Sequence, residues 1–313
     1  MAAWRTSGTP PIFLPRPLHA LRKACPHTEF VFDPGDFPED AAALAMKCYA
    51  AIVFVTRHEM KGYDVPTLRL PHGQDMVVDA ASVANRHTVV VLETGNPLEM
   101  PWLGKTAALL AAWYPGQEGG QAIADILTGE VNPSGRLPIS FPVDQAQLAD
   151  PRLPNLGVDA GTPVTVSYAH GADVGYRDYA RRNLKPQFAF GFGLTFGSFR
   201  YENFKISGGK TLRASFDVVN NGARAGVDVP QVYATGTPMG RDLRLVGYAR
   251  VALDPGEHRN VQLMVERRLL SNYSENAHRW KLPGGTYTLR LARSAADLLD
   301  SAQARLAGET FAD

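Results

Sequence analysis

Three ionisable side chains stand close together in the segment HEMKGYDVP, residues 58–66, which follows the apolar run AAIVFV. They are Glu59, Lys61 and Asp64. Carboxylates and amines are the side chains that carry out acid–base and nucleophilic chemistry. The same residue types also fill solvated turns, and Asp64 before Val-Pro suits a turn cap. The segment therefore indicates a catalytic loop, the remnant of one, or a solvated turn.

The elements that must position this loop alternate between helix and strand patterns. Continuous apolar, β-branched runs separated by helical stretches of about ten residues are typical of a mainly parallel sheet covered by helices. The predicted strands are EFVFD (29–33), AIVFVT (51–56), TVVVLETG (88–95) and AALLAAW (107–113). The predicted helices cover 17–23, 36–46, 74–84 and 119–127. This half of the chain is predicted to be α/β.

In an open α/β sheet, ligands bind beyond the carboxyl ends of the strands. The loops that follow the last three predicted strands should therefore share one edge. Besides Glu59, Lys61 and Asp64, the polar residues of these loops are Glu93, Asn96, Tyr114, Gln117 and Glu118. Tyr114 and Gln117 could serve an interface or a substrate subsite. We favour a packing role for Trp113 and Tyr114, with the glycines at 119–120 permitting close helix approach.

Several function classes lack their sequence signatures. The glycine-rich phosphate-binding patterns, the G-x-S-x-G elbow and HExxH are absent, and the eight histidines are scattered singly. Cys25 and Cys48 have no metal-ligand spacing and cannot form a disulfide framework. We therefore expect no cofactor and no metal.

Length and charge restrict the remaining classes. The chain of 313 residues is long enough for two domains, and 32 basic residues balance 31 acidic ones without blocks of one sign. We expect no nucleic-acid partner. The chain has no apolar run of transmembrane length and no signal peptide within its first thirty residues, so as written it predicts a cytoplasmic protein without membrane contact.

The second half of the chain has a different pattern. Residues 146–199 are rich in Pro, Gly and aromatic side chains and predict an ordered strap. Beyond residue 200, short alternating strands separated by NNG, DPGE and PGG turns predict an immunoglobulin-like β-sandwich. The predicted strands are 211–220, 227–235, 245–253, 258–266 and 285–293.

Longer phrases resemble one known family. They are AIVFVTRHEMKGYDVPTLRLPHGQD (51–75), TVVVLETGNPLEMPWL (88–103), AWYPGQEGGQAIADILTGEVNPSGRLPISFP (112–142), VGYRDY (174–179), FAFGFGLTFGSFRY (188–201), VVNNGARAGVDVPQVY (218–233), LVGYARVALDPGE (245–257) and PGGTYTL (283–289). Together they resemble the C-terminal half of glycoside hydrolase family 3, the β-glucosidase and β-xylosidase family, over about residues 12–295.

The resemblance implies an incomplete α/β sandwich domain followed by a fibronectin type III-like β-sandwich. The implied domains are 1–145 for the α/β sandwich, 146–199 for the strap and 200–313 for the β-sandwich. In this family an N-terminal (β/α)₈ barrel carries the aspartate nucleophile, and the resemblance gives no counterpart of it here. The opening strand of the α/β sandwich also has no counterpart.

The resemblance also identifies the acidic loop. The family loop reads like E-x-E-G-x-D, with the glutamate before the glycine as the usual acid/base. Here Gly62, Tyr63 and Asp64 match that loop, Glu59 matches its earlier acidic position, and Lys61 occupies the acid/base position. A lysine with an ordinary pKa near 10.4 is a poor acid for a glycosidic oxygen. Glu59 is the best surviving acid/base candidate.

Three functions follow as hypotheses. The first is the C-terminal portion of a β-glucosidase-like hydrolase that is inactive alone. The second is one subunit of a split glycosidase that acts on an oligosaccharide or β-glycoside once another chain supplies the barrel. The third is a non-catalytic carbohydrate-binding module, for which the available aromatic residues are Tyr233, Tyr248, Tyr273, Trp280 and Tyr287, most of them expected in the core.

A surface that the barrel covers in relatives would be bare in the isolated chain. Bare apolar surface of this kind marks association, so we expect self-association through the barrel-facing surface. Full-length members of the family are commonly periplasmic or secreted, which leaves the localisation open.

Overall fold

The computed structural model describes residues 16–59, 65–151, 156–158 and 161–312. The chain divides into two compact units. The first combines Met1–Val131 with Pro142–Ser167, and the second combines Asn132–Phe141 with Tyr168–Asp313. The domain boundaries at residues 145 and 199 stay a prediction.

The first unit is built on a three-stranded parallel sheet in the order β1-β2-β3. Its elements in chain order are α1 (Pro17–Ala24), α2 (Pro38–Ala45), β1 (Ala51–Thr56), α3 (Gln74–Ala84), β2 (Thr88–Glu93), β3 (Ala108–Ala111) and α4 (Gly119–Thr128). The sequence predicted these elements because apolar residues recur at helical spacing in the helices and run continuously in the strands. Each helix buries its apolar stripe, and each strand its apolar run, against the neighbouring elements. The α/β class is confirmed.

The ends of the helices follow local chemistry. Proline stands at the first turn of α1 and of α2, where its missing N–H costs nothing. Helix α4 ends at Gly129, whose φ of 79° is left-handed and suits glycine. Helix α3 begins after Gly73, also left-handed with φ 70°.

One predicted strand does not form. Residues 29–33 are extended, but they belong to no sheet among the residues that the structure describes. Phe30 packs instead against the buried cluster of Ala20, Leu21 and Ala124, while Val31 and Phe32 are 49% and 70% exposed. The apolar composition was that of a strand, but a strand also requires a hydrogen-bonded neighbour, so the prediction of a strand here is wrong.

The second unit is a β-sandwich with one short helix, α5 (Tyr176–Arg181). Its strands are β4 (Phe199–Ser207), β5 (Arg213–Asn220), β6 (Gly226–Asp228), β7 (Gln231–Thr237), β8 (Gly240–Tyr248), β9 (Val251–Leu253), β10 (His258–Met264), β11 (Asn272–Ser274), β12 (Arg279–Leu282), β13 (Gly285–Ser294), β14 (Asp297–Leu306) and β15 (Glu309–Phe311). The antiparallel sheets β10-β5-β4 and β14-β13-β7-β8 supply most of the core, together with the smaller sheets β11-β12-β15 and β6-β9.

Two predicted strands of the sandwich are split in the structure. The stretch 227–235 divides into β6 and β7, and 245–253 divides into β8 and β9. Pro230 lies between β6 and β7, and proline cannot donate to a sheet ladder, so β6 pairs with β9 while β7 joins the larger sheet. Strands β4, β11, β12, β14 and β15 were not predicted.

A segment distant in sequence is fixed to the sandwich by a buried carboxylate. Asp228 is only 3% exposed and accepts hydrogen bonds from Arg136 and from the hydroxyl of Tyr201. Burial of the Asp228 carboxylate makes this cluster structural, because a buried carboxylate is tolerated only when it is paired and hydrogen-bonded. The described helices include none long and apolar enough to cross a bilayer.

Candidate active-site edge

The carboxyl ends of β1, β2 and β3 meet at one edge of the parallel sheet. Thr56 lies opposite Glu93 in the register, and the N–H of Arg57 donates to the carbonyl of Glu93 at 3.3 Å. The N–H of Ala112 donates to the carbonyl of Leu92 at 2.9 Å. These bonds extend the ladder one residue beyond the strands, so the three loops leave the sheet side by side, as the sequence predicted.

Glu59 is held by an arginine two residues before it. Oε1 of Glu59 lies 3.6 Å from Nε of Arg57, and the two side chains are 9% and 6% exposed. The Arg57 guanidinium also donates to the carbonyl of Thr67. Burial lowers the pKa of Arg57 and the charge of Glu59 opposes this, so the guanidinium stays charged at neutral pH.

The pair is not fully hydrogen-bonded. Nη1 of Arg57 and Oε1 of Glu59 are buried and have no hydrogen-bond partner among the described residues. A separation of 3.6 Å is an ion pair without hydrogen-bond geometry. The carboxylate therefore retains unused acceptor capacity at this edge.

Tyr114, from the loop after β3, contacts both members of the Arg57–Glu59 pair. Its hydroxyl donates to the carbonyl of Arg57 at 2.7 Å. Burial, followed by the negative charge of the adjacent Glu59, raises the pKa of Tyr114 to about 12. The phenol is therefore a neutral hydrogen-bond donor at all physiological pH values.

Gly95 lets these groups meet. A Cβ atom at this position would lie 2.5 Å from Oε2 of Glu59 and 2.9 Å from Cε2 of Tyr114. Both distances are shorter than real Cβ contacts. The loop after β2 thus passes directly against the carboxylate and the phenol ring, and only glycine fits without displacing them.

Glu93 supplies a second carboxyl group near the end of β2. It is 8% exposed, and burial raises its pKa above the ordinary glutamate value. Thr94, which follows it, donates through its hydroxyl to the carbonyl of Asn96 at 3.1 Å and so shapes the loop. The edge therefore holds one carboxylate paired with arginine and one carboxyl group in a less polar setting.

The structure brings some predicted residues together and leaves others apart. Glu59 and Tyr114 are adjacent, whereas Gln117 and Glu118 are exposed. Lys61 and Asp64 lie outside the described residues, so their place at this edge stays a prediction. The sequence favoured a packing role for Tyr114, and that prediction did not include the polar contacts with Arg57 and Glu59 that the structure shows. Gly119 makes its close approach to Pro115, where a Cβ would be 2.5 Å from Cγ.

Two residues of the edge were missed by sequence reasoning. They are Arg57 and Gly95. The sequence did contain a signal for Arg57. An arginine that directly follows a buried strand has its backbone at the sheet, and a charged side chain that is buried there needs a partner. Gly95 gave no signal beyond its position in a loop, because its neighbours come from two other loops.

The aromatic candidates of the β-sandwich separate by burial. Tyr233 and Tyr287 are 0% exposed and belong to the core, whereas Tyr248 and Tyr273 are 63% and 46% exposed. Trp280 is half-buried and stacks edge-on against Tyr273 with 5.4 Å between ring centroids. Among the described residues, no group of three or more His, Cys, Asp or Glu side chains could hold a metal ion.

Comparison with known proteins agrees with this architecture. The glycosyl hydrolase family 3 C-terminal domain matches residues 1–196, and the fibronectin type III-like domain matches residues 228–295. Beta-glucosidase B of Emericella nidulans is 39% identical over 295 residues, which are 88% of this chain and 35% of that protein. The beta-glucosidase of Rhizobium radiobacter is 38% identical over 281 residues, 85% of this chain and 34% of that protein.

Solved structures of beta-glucosidases share the fold. DesR from Streptomyces venezuelae superimposes with a TM-score of 0.77 at 37% identity, covering 86% of this chain and 35% of that one. The Bifidobacterium adolescentis enzyme gives a TM-score of 0.86 at 26% identity, covering 97% and 47%. The chain spans about a third of the length of the curated relatives it matches.

An α/β unit with a polar carboxyl edge, followed by a fibronectin type III-like β-sandwich, defines the C-terminal architecture of a β-glucosidase-like glycoside hydrolase. The chain belongs to glycosyl hydrolase family 3.

Proposed function

We propose that this chain supplies the carboxyl-edge loops of the α/β unit to a β-glucoside-hydrolysing site that another domain completes, and that the chain alone does not hydrolyse glycosides. The named beta-glucosidases support the substrate class. Retaining glycosidases need a nucleophilic carboxylate and an acid/base carboxyl group about 5–5.5 Å apart across the scissile bond. The proposal therefore depends on which carboxyl groups of this edge are free to act.

The observation that carries the proposal is the state of Glu59. Its side chain is 9% exposed, lies 3.6 Å from the Arg57 guanidinium and is enclosed by Gly95 and Tyr114. Protein groups therefore surround this carboxyl group, whereas a general acid must reach the glycosidic oxygen of its substrate. Glu59 in this arrangement supports the loop and is poorly placed to reach a glycosidic oxygen.

Lys61 occupies the position at which the family resemblance expects the acid. An ammonium group would hold its proton too tightly at neutral pH and would place a positive charge beside an oxocarbenium-like transition state. Both effects oppose hydrolysis. The proposed role of the chain is thus that of a diverged acid/base module.

The first experiment is an assay of the purified chain with an aryl β-glucoside. We expect no turnover above the uncatalysed rate. Clear turnover that is lost in Glu59→Gln would overturn the inactivity and would identify Glu59 as a catalytic residue.

A chimera tests the role of the loop itself. This chain replaces the matching third of the Rhizobium radiobacter beta-glucosidase, and the chimera is compared with its Lys61→Glu variant. We expect the variant to be at least about a hundredfold more active, since general acid catalysis contributes typically 10²–10⁴-fold. The matched control is Lys47→Glu, at an exposed residue two positions beyond the end of α2. Equal activity of all three chimeras would contradict the assignment.

A split enzyme is tested by complementation. If a separate polypeptide supplies the nucleophile domain, its co-expression with this chain should yield β-glucosidase activity that neither shows alone. Size-exclusion chromatography should then show both polypeptides in one peak. The barrel-facing surface predicted from the sequence is the contact on which this assembly depends.

A second candidate function is carbohydrate binding by the β-sandwich. A cleft of about 660 Å³ in this unit is lined by Asn272, Tyr273, Ser274, Lys281 and Thr310, among others. Exposed Tyr273 offers ring surface and its neighbours offer hydrogen bonds, the combination that sugar sites use. Calorimetry with cello-oligosaccharides and xylan tests this function. Tyr273→Ala should abolish the heat, and Tyr248→Ala, exposed but outside the cleft, should retain it. No heat with the unmodified chain would dismiss the function.

A further inference from the structure

The three short strands β11, β12 and β15 bring five polar side chains onto one face of their sheet. In the register of this sheet, Lys281 lies opposite Asn272 on one side and opposite Thr310 on the other, and Arg279 lies opposite Ser274. Residues directly opposite each other on neighbouring strands point to the same face, and successive residues of a strand alternate between the two faces. These five side chains therefore share one face.

The other face of this sheet belongs to the core of the β-sandwich. Trp280 lies opposite Tyr273 on one side and opposite Phe311 on the other. Phe311 is only 6% exposed and is part of the buried core cluster, and Trp280 packs against that cluster. The face that carries Lys281 is consequently directed to solvent. Together with Met239, from the turn between β7 and β8, it lines the cleft of about 660 Å³.

The cleft carries a positive charge that no carboxylate of the described residues neutralises. Lys281 is exposed, and in the part of the chain that the structure describes neither it nor Arg279 has an ion-pair partner. Glu309 also lines the cleft, but its Oε1 already accepts a hydrogen bond from Nη1 of Arg267 at 2.6 Å. Glu275, in the turn between β11 and β12, is exposed and does not line the cleft. The cleft therefore favours an anionic ligand.

Neutral hydrogen-bonding groups surround this cation. The hydroxyls of Ser274 and Thr310 line the cleft and make no hydrogen bond with the described residues. Asn272 is fixed by Arg244, whose Nη2 donates to Oδ1 of Asn272 at 3.0 Å. The Nδ2 of Asn272 is left with Sδ of Met239, a weak acceptor, at 3.1 Å. Two free hydroxyls and an amide donor around a cation match a ligand that carries several hydroxyl groups besides its charge.

We propose that the cleft binds an acidic oligosaccharide, in which Lys281 pairs with the carboxylate of a uronic acid unit and the neutral side chains around it contact sugar hydroxyls. This ligand class rests on the second proposed function, carbohydrate binding by the β-sandwich. The ring of Tyr273, which is 46% exposed, offers the sugar an apolar surface. The cleft volume of about 660 Å³ lies within the range of small-ligand sites, which suits a short oligosaccharide.

Calorimetry of the purified chain with matched probes tests the charge of the ligand. The probes are one xylo-oligosaccharide without and with a single glucuronic acid branch. At low salt we expect the acidic probe to bind about threefold to fivefold more tightly, the range that a solvent-exposed ion pair supplies. This preference should vanish in Lys281→Gln and should decline as NaCl is added. Lys210→Gln, at an exposed residue outside the cleft, is the matched control and should retain the preference.

A second variant separates the recognition of sugar from the attraction of charge. Thr310→Val removes one free hydroxyl from the cleft, and it should weaken the binding of both probes by about threefold, because both present the same xylose hydroxyls. The preference for the acidic probe should stay unchanged.

Three results would overturn the proposed ligand. Equal binding of the two probes by the unmodified chain overturns the acidic ligand class and leaves carbohydrate binding standing. Binding of neither probe overturns carbohydrate binding and the acidic ligand together. Inorganic phosphate that binds the chain as tightly as the acidic probe shows a site for simple anions, which contradicts recognition of a saccharide.

Discussion

Nε of Arg57 and Oε1 of Glu59 lie 3.6 Å apart, and both side chains are almost withdrawn from water. The two residues are separated by only one residue in the chain, yet what makes them a buried pair is the closure of two other loops over them. The Glu59 carboxylate and the Tyr114 phenol are brought together because Gly95 lacks a side chain. This arrangement affects the free energy of unfolding of the first unit and the pKa values of the buried groups at the candidate site.

Removing the arginine should destabilise the first unit strongly. Arg57→Met leaves Glu59 as an uncompensated buried charge, and loss of one partner of a buried pair costs about 3–5 kcal/mol. Urea unfolding monitored by circular dichroism measures the free energy of unfolding. The double variant Arg57→Met/Glu59→Leu should recover most of that loss, because no charge then remains buried. Equal losses in the single and double variants would show that the pair contributes through packing alone.

Adding one methyl group at Gly95 should disturb the same contact. Gly95→Ala places a Cβ atom 2.5 Å from Oε2 of Glu59 and 2.9 Å from the Tyr114 ring. Overpacking of this kind costs about 1–3 kcal/mol. Gly104→Ala is the matched control, since a Cβ there meets nothing within 4 Å. Adding Glu59→Ala to Gly95→Ala should relieve part of the strain. Urea unfolding of the single and double variants measures how much of the lost free energy of unfolding is recovered.

The phenol of Tyr114 should ionise late. Its pKa is raised from the ordinary 10 to about 12, first by burial and then by the charge of Glu59. Between these two pH values the unfolded chain has lost the proton and the folded chain retains it, so the stability contributed by Tyr114 declines as the pH rises through this window. Tyrosinate absorbance near 295 nm should lose a step near pH 12 in Tyr114→Phe. Tyr49→Phe, at a ring that is 88% exposed, should retain that step.

The Glu93 carboxyl group should make the free energy of unfolding decrease as the pH rises. Burial raises the pKa of its carboxyl group, so as the pH rises from the ordinary glutamate pKa of 4.5 the unfolded state releases its proton before the folded state does. Glu93→Gln should therefore raise the free energy of unfolding relative to the unmodified chain at pH 7, and by less at pH 4.5. Glu118→Gln, at an exposed residue, should not show this pH dependence. A gain for Glu93→Gln that is the same at both pH values would contradict a raised pKa.

The regular elements of the first unit were largely predictable. Helix α3 and strand β1 have the predicted bounds, because their apolar periods match helix and strand geometry and are buried accordingly. The β-sandwich was predicted as a class, although β14 was missed. Its sequence DLLDSAQARL is only weakly alternating, and its strand conformation comes from pairing with β13. Local sequence carries little of that information, since strand pairing is a long-range property.

By itself the sequence determined the class of the molecule. It specified an α/β region followed by a β-sandwich, the loops that meet at one sheet edge, and the family resemblance that the matching domains confirm. Only the tertiary structure decided that residues 29–33 join no sheet in the described part of the chain, and that Arg57 and Tyr114 enclose Glu59. The physical reason is the range of the interactions. Periodicity and composition report what each segment can bury, whereas a hydrogen-bonded neighbour or an ion pair depends on segments that approach from elsewhere in the chain.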